Sequence, residues 1–235
     1  MDTVIQGIID GFRMFFSGDP VLWEIILLSG KVSGIALIFS ALLGIPFGAF
    51  MGLVRFRGRR FVQALIYTGM GLPPVVAGLG VYLLLSRAGI LGPLNLPFVP
   101  ELFTVPAMIL AQVIIATPLV AGYTMSAVSE VAPDLRLQVR SLGATPLQVT
   151  LAVLREARLG LVVALVGGLG SIISEVGAVM MVGGNIEGQT RVLTTAIMLE
   201  TRRGNFSLAI GLGMVLLLLS FIINYGVTQL QGKGN

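Results

Sequence analysis

Residues 141–160 read SLGATPLQVTLAVLREARLG and lie between two long apolar runs. The segment leading into them begins at Pro133, a residue typical of a helix start, and its apolar side chains recur at helical spacing. Gly143 suits the left-handed conformation that follows a helix end. Thr145 favours the cap of a second helix, with Pro146 in its preferred first position. The sequence therefore predicts two short amphipathic helices joined at Gly143.

A segment of this kind has two interpretations. It packs on its own apolar runs, which explains the stripes of leucine and valine, or it offers a surface to a partner protein. The connection over residues 130–158 is longer than most connections between helices. Long structured loops often carry binding sites. Length favours docking, and both interpretations stay open on the residues alone.

The rest of the chain has the composition of a membrane protein. Of its 235 residues, 55% are hydrophobic and 11% are charged, and the mean hydropathy is +0.96. Soluble domains carry about 25% charged residues, and a spanning helix needs about 20 apolar residues. We predict an all-α, multi-pass protein of the cell membrane with five transmembrane helices, at residues 21–54, 61–87, 102–129, 159–186 and 204–232. Together they form one membrane domain over residues 21–232.

The positive charges predict an orientation, because Lys and Arg in short loops stay on the cytoplasmic side. Nine follow the first, third and fifth spans: Arg55, Arg57, Arg59, Arg60, Arg136, Arg140, Arg155, Arg158 and Lys233. Five lie on the other side: Arg13, Arg87, Arg191, Arg202 and Arg203. We therefore expect the N-terminus outside and the C-terminus in the cytoplasm. No separate basic domain is present, so we expect no nucleic-acid partner.

Residues 1–20 form a separate N-terminal segment. Its apolar residues recur near helical period, with Asp10 and Arg13 between them, and the SGDP sequence ends it in a turn. An amphipathic helix at the outer interface and a simple lead-in to the first span are both open. Beyond the fifth span we expect no soluble regulatory domain.

The residue types present exclude several kinds of chemistry. The chain has no cysteine and no histidine, which excludes disulfides, thiolate nucleophiles and histidine acid–base catalysis. Neither GxxxxGKS nor GxxxxGKT, the phosphate-binding patterns, occurs in it. Any ATP that drives the protein must therefore be bound by another chain. We predict no catalytic residue and no metal or cofactor on this chain.

The opening segment resembles the EAA loop, the cytoplasmic segment of ABC-importer membrane subunits. The matching residues are Ser141, Leu142, Gly143 and Ala144 at its centre and Ala157, Arg158 and Gly160 at its end. Leu137, Gln138 and Val139 stand where the family has Glu-Ala-Ala. The resemblance implies a type I ABC-importer permease fold with a coupling helix seated on an ATPase subunit, which holds ATP and magnesium. The implied coupling residues are Arg140, Ser141, Leu142, Gly143, Ala144, Thr145 and Pro146.

A second resemblance identifies the cargo class. Residues 173–200, ISEVGAVMMVGGNIEGQTRVLTTAIMLE, and residues 71–89, GLPPVVAGLGVYLLLSRAG, are similar to permeases for tungstate and molybdate. The resemblance implies import of a tetrahedral oxyanion, with tungstate favoured and molybdate or sulfate as alternatives. It also implies three protein partners: a pair of ABC ATPase subunits, an extracytoplasmic oxyanion-binding protein and a second copy of this chain in a homodimer.

Ionisable and helix-breaking residues inside the spans are candidates for a pore or gate. They are Lys31, Pro73, Pro74, Pro118, Glu175 and Gly177. Lys31 and Glu175 fall at similar predicted depths, so we expect them to pair, either statically or at an outer gate. The prolines produce either packing kinks or breaks that line the pore.

The outer loop before the last span holds Arg191, Arg202 and Arg203. They are solvated surface charges or contacts for the binding protein, and Arg191 alternatively lies near the pore mouth. Two other classes stay open on the residues alone: an ion-coupled secondary transporter, and a channel without energy input. Five spans do not divide into the equal repeats that many secondary transporters show.

Overall fold

The computed structural model describes residues 2–94, 96–97 and 99–232, so Met1 and Lys233 lie outside the described residues. Every regular element in these ranges is helical. The first six helices are α1 (Asp2–Ser17), α2 (Pro20–Leu53), α3 (Arg59–Met70), α4 (Pro74–Leu85), α5 (Val105–Glu130) and α6 (Pro133–Ser141). The remaining five are α7 (Pro146–Glu156), α8 (Arg158–Ser174), α9 (Gly177–Gly183), α10 (Leu193–Arg202) and α11 (Phe206–Gly232).

Three helices, α2, α5 and α11, are each long and apolar enough to cross a membrane. Two bent pairs, α3–α4 and α7–α8, raise the number of possible crossings to as many as five among the described residues. Asp19 starts α2, because its Oδ1 accepts hydrogen bonds from the backbone N–H groups of Val21 and Leu22 at 2.9 and 3.0 Å. The long helices therefore begin and end where turn and capping residues interrupt the apolar runs.

Two of the predicted spans are not continuous helices: the prolines predicted a disturbance in the second, whereas no prediction anticipated the break in the fourth. The second, residues 61–87, is bent by 99° between α3 and α4. Pro73 caps α4 and Pro74 is its first residue, and neither can donate the backbone hydrogen bond that would continue α3. The fourth, residues 159–186, ends as α8 at Ser174 and resumes as α9 at Gly177.

The centre of the bundle is a seam of glycines between α2 and α5. A Cβ atom on Gly44 would lie 2.9 Å from Val120, and one on Gly52 would lie 2.9 Å from Val128. A Cβ atom on Gly48 would overlap the carbonyl oxygen of Ala121. Small residues four apart let two membrane helices approach closely. The spacing of these glycines was a sequence signal that the preceding predictions did not use.

Other helices pack around this seam. Helix α4 packs on α9 and α5 through a core that includes Ala77, Val81, Ala178 and Val182. The N-terminal segment is the helix α1, followed by Gly18 at φ +70°, and it packs along α11. Its position at the outer interface stays a prediction.

Candidate functional site

The predicted pair of short helices is present as α6 and α7. Gly143 joins them with φ +83°, a conformation that costs an L-residue about 1–2 kcal/mol. Thr145 and Gln148 form a reciprocal capping box at the start of α7: Gln148 N–H donates to Thr145 Oγ1 at 3.4 Å, and Thr145 N–H donates to Gln148 Oε1 at 2.8 Å. The turn is thus built locally, from one glycine and one cap.

The two faces of this helix pair have different surroundings. Val149 and Val153 are buried, and Val153 packs against Ala49 of α2 and Val128 of α5. The opposite face exposes leucines, with exposed fractions of 86% for Leu142 and 68% for Leu147. The segment therefore packs on its own bundle, as one interpretation expected, and also presents an exposed apolar surface; docking of a partner on that surface stays a prediction.

The implied coupling residues surround the turn at the tip of this surface. Ala144 is partly buried. The other six coupling residues are exposed: Arg140, Ser141, Leu142, Gly143, Thr145 and Pro146. Arg136 fixes the base of the segment, because its Nη2 donates to the carbonyl oxygen of Val128 at 3.0 Å. We call the exposed leucines of α6, α7 and their connection the turn surface: Leu137, Leu142, Leu147 and Leu151.

The break between α8 and α9 is held by buried polar groups. Glu175 is buried, and its Oε1 accepts from the backbone N–H of Ala178 at 2.8 Å. Its own carbonyl oxygen accepts from Thr194 Oγ1 at 2.9 Å. The carbonyl oxygen of Ile172 accepts from Gln112 Nε2 at 3.4 Å. Within a membrane, backbone groups released by a helix break need such partners, and the sequence predictions missed both Gln112 and Thr194.

The expected static ion pair between Lys31 and Glu175 does not form in this structure, and the alternative of a pair at an outer gate stays a prediction. The two ion pairs within the described residues involve neither side chain. Glu175 faces the start of α9, whereas Lys31 is exposed on the α2 face that carries Leu27 and Ile38. Depth in the membrane was predicted from residue counts, and counts do not determine which way a helix face points.

The length of α2 bears on the predicted depth of Lys31. Met51, near the other end of α2, accepts a hydrogen bond from Arg59 Nε through its carbonyl oxygen. Twenty residues separate Lys31 from Met51, which corresponds to about 30 Å of helix. That length equals the hydrocarbon thickness of about 30 Å, so Lys31 lies near one boundary of the bilayer when Met51 lies near the other.

The proline and glycine candidates lie in helix contacts. Pro118 lies inside α5, which continues as one helix, and a Cβ atom on Gly69 of α3 would lie 2.8 Å from its ring. A Cβ atom on Gly177 would lie 2.7 Å from Val75 of α4. The unwound segments of the two broken helices are therefore neighbours, and the helices that follow them, α4 and α9, pack together.

A cavity of about 330 Å³ lies beside the α8–α9 break. Helices α2, α8 and α11 supply mostly apolar walls, and the polar side chains in the lining are Ser29, Ser33, Gln112, Glu175 and Thr194. Among the described residues, no group of three or more Asp or Glu side chains could hold a metal ion. The cavity therefore adjoins the polar groups that hold the helix break.

The outer-loop arginines are not equivalent. Arg191 Nη1 pairs with Glu187 Oε2 at 3.1 Å, and only 14% of its side chain is exposed. Arg203 Nη1 pairs with the buried Glu200 at 2.9 Å, whereas Arg202 is exposed. Arg191 therefore serves the packing of its own loop in this structure, and Arg202 and Arg203 are the accessible ones.

The chain matches a known family over most of its length. The model of the "Binding-protein-dependent transport system inner membrane component" family matches residues 44–232. The chain belongs to this family. Membership makes it a membrane transport component, and it decides against the secondary transporter and the channel without energy input as classes.

Individual members of the family and one solved structure are also similar to the chain. The "Tungstate uptake system permease protein TupB" of Peptoclostridium acidaminophilum is 39% identical over 98% of this chain and 99% of its own length. The "Probable anion ABC transporter permease protein" of Haloferax volcanii is 45% identical over 90% of this chain and 92% of its own length. The membrane fold resembles a chain of a bacterial alginate ABC transporter, with a TM-score of 0.73 at 22% identity over 93% of this chain and 80% of that chain.

This inner membrane component therefore has the fold of ABC-importer permeases, and it is a pore-forming subunit by family.

Proposed function

We propose that the chain is the permease subunit of an ATP-driven importer for tungstate. The observation that carries the cargo is the 39% identity with a tungstate permease over nearly the full length of both chains. Molybdate is the alternative cargo, because both ions are tetrahedral dianions of similar size. Selection between them belongs to the extracytoplasmic oxyanion-binding protein and not to this chain.

The proposed assembly is a homodimer of this chain with a pair of ATPase subunits. One chain offers a single turn surface, and ATPases of this class work in pairs, so two copies are needed. ATP and magnesium bind to the ATPase subunits. In the proposed topology the chain crosses the membrane five times, and the arginine distribution supports an N-terminus outside and the helix pair α6–α7 in the cytoplasm.

The proposed mechanism contains no chemical step on this chain. Closure of the ATPases displaces the turn surface, and the buried face of α7 transmits that displacement to α2 and α5. The work of the permease is to make the inward-open and outward-open states differ in stability as the ATPases bind ATP. The exposed Arg202 and Arg203 are the proposed contacts for the binding protein, and their contribution falls with salt concentration.

The cargo is tested by metal content in cells with and without the chain. Tungstate and molybdate are supplied together at low concentration with excess sulfate, and both metals are measured by mass spectrometry. We expect tungsten alone to collapse on deletion and to return on complementation. An equal loss of molybdenum assigns both cargoes, and unchanged contents of both metals overturn the assignment.

Coupling is tested at the tip of the turn surface. Leu142→Arg and Gly143→Asp place a charge where an apolar contact is expected, and both should abolish uptake while the protein still accumulates in the membrane. Leu142→Met keeps an apolar side chain of similar size and is the matched control. Normal uptake in both charged variants would sink the docking role of α6–α7.

A further inference from the structure

The corner between α2 and α3 is a strongly basic surface that the function described so far does not use. Residues 54–61 read VRFRGRRF, so arginine and phenylalanine are interleaved where the chain turns between two membrane helices. The turn is made by Gly58 at φ +89°. Because α2 is a candidate span and α3 begins the next one, this corner lies at the membrane surface.

One of the four arginines contributes to the fold, and the other three are exposed. Arg59 Nε donates to the carbonyl oxygen of Met51 at 2.9 Å and so serves the end of α2. Arg55, Arg57 and Arg60 are exposed and take part in neither of the two ion pairs found within the described ranges. The chain has no Asp or Glu between Glu24 and Glu101. Glu24 lies at the opposite end of α2, so neither α2 nor α3 supplies a neutralising carboxylate near the corner.

Aromatic rings lie among these arginines. Phe50 and Phe56 stack with ring centroids 5.6 Å apart and are 48% and 37% exposed. Phe61 is 69% exposed. Aromatic side chains favour the boundary between headgroups and hydrocarbon, while guanidinium groups bind phosphate oxygens in a bidentate geometry. A phospholipid matches both preferences, because its phosphate lies at the membrane surface and is attached to an apolar body.

We propose that the α2–α3 corner, formed by Arg55, Arg57 and Arg60 with Phe50, Phe56 and Phe61, binds the headgroup of an anionic phospholipid. The guanidinium groups contact the phosphate, and the rings contact the glycerol and the first acyl carbons. Each arginine near an anionic membrane surface contributes about fivefold in binding, so two contribute about thirtyfold. The proposal depends on the membrane position of the corner and is independent of the transported ion.

The positive-inside effect also explains arginines at this position, and a purified protein separates the two explanations. Orientation is set during insertion, so it gives no preference between lipids once the chain is folded. The full-length chain in detergent is mixed with equal amounts of phosphatidylglycerol and phosphatidylcholine, and bound lipid is counted by native mass spectrometry. We expect phosphatidylglycerol to be preferred by about tenfold or more.

The test uses a double variant of the corner, Arg55→Gln with Arg57→Gln. Its control is a double variant of the α6–α7 segment, Arg140→Gln with Arg155→Gln. Both remove two exposed positive charges, the control pair from the α6–α7 segment. We expect the first double variant to lose about thirtyfold in phosphatidylglycerol binding and the control to change by less than about threefold. An equal loss in both, or no lipid preference in the wild-type chain, overturns the proposal.

Two further measurements need only the wild-type protein. Raising salt from about 0.05 M to about 0.5 M should release phosphatidylglycerol and leave phosphatidylcholine unaffected, since exposed charges are screened. Binding that does not respond to salt contradicts the assignment. Release of the lipid by millimolar inorganic phosphate would also contradict it, because the site would then recognise free phosphate and not a lipid.

Discussion

Leu142 provides a sharp probe of docking because it contributes almost nothing to folding. It is 86% exposed at the Gly143 turn, so a partner can bury nearly the whole side chain. Leu142→Ala removes three carbon groups at about 0.8 kcal/mol each, or about 2.4 kcal/mol, which corresponds to about sixtyfold in affinity. An exposed substitution changes stability by less than about 0.5 kcal/mol.

Val153→Ala should have the opposite signature and is the matched comparison. Val153 is fully buried between α7, α2 and α5, so truncation costs about 2 kcal/mol of stability without altering the turn surface. The assay is the affinity of the ATPase subunit for the full chain in nanodiscs, with thermal unfolding in detergent beside it. If Leu142→Ala binds within about threefold of wild type, the turn surface is not the docking site.

The remaining predictions concern backbone and charge. Gly48→Ala places a Cβ atom against α5 and should lower the free energy of unfolding by about 1–3 kcal/mol. A Cβ atom on Gly80 meets nothing within 4 Å, so Gly80→Ala should not lower the unfolding temperature. Equal effects of the two substitutions would contradict the close approach of α2 and α5. Gly143→Val should be about 1 kcal/mol less stable than Gly143→Asn, because asparagine tolerates positive φ, and equal unfolding temperatures argue against that turn. Glu175→Ala should cost about 1–2 kcal/mol through the lost cap of α9. Its effect should add to that of Lys31→Ala within about 0.5 kcal/mol, and a larger coupling in the double variant would restore the ion pair.

Local patterns in the sequence were sufficient to predict the helix pair at residues 133–156. Gly143 and the cap at Thr145 act within one turn of the chain, so their geometry does not depend on distant residues. The apolar runs also identified α2, α5 and α11, because length and hydropathy decide whether a helix can cross a membrane.

The break before α9 and the surroundings of Glu175 could not be predicted in the same way. The partners of the break, Gln112 and Thr194, are 60 and 19 residues away from the groups that they bind. Only packing brings them together, and neither residue type stands out in a single sequence. The prolines predicted a disturbance of the second span, but a bend of 99° follows from how α4 packs on α9.

The glycine seam between α2 and α5 has a mechanical consequence. Helix α5 is continuous for 26 residues, about 39 Å, whereas α3 is followed by the bend before α4 and α8 by the break before α9. In the proposed mechanism, a displacement of α7 would therefore reach the far side of the membrane along α2 and α5, which the seam holds together as one unit. A tilt of about 5° moves the end of a 30 Å arm by about 3 Å. A substitution at Gly48 that separates α2 from α5 would keep this displacement from reaching the far side of the membrane. The proposed importer would then consume ATP without moving its cargo.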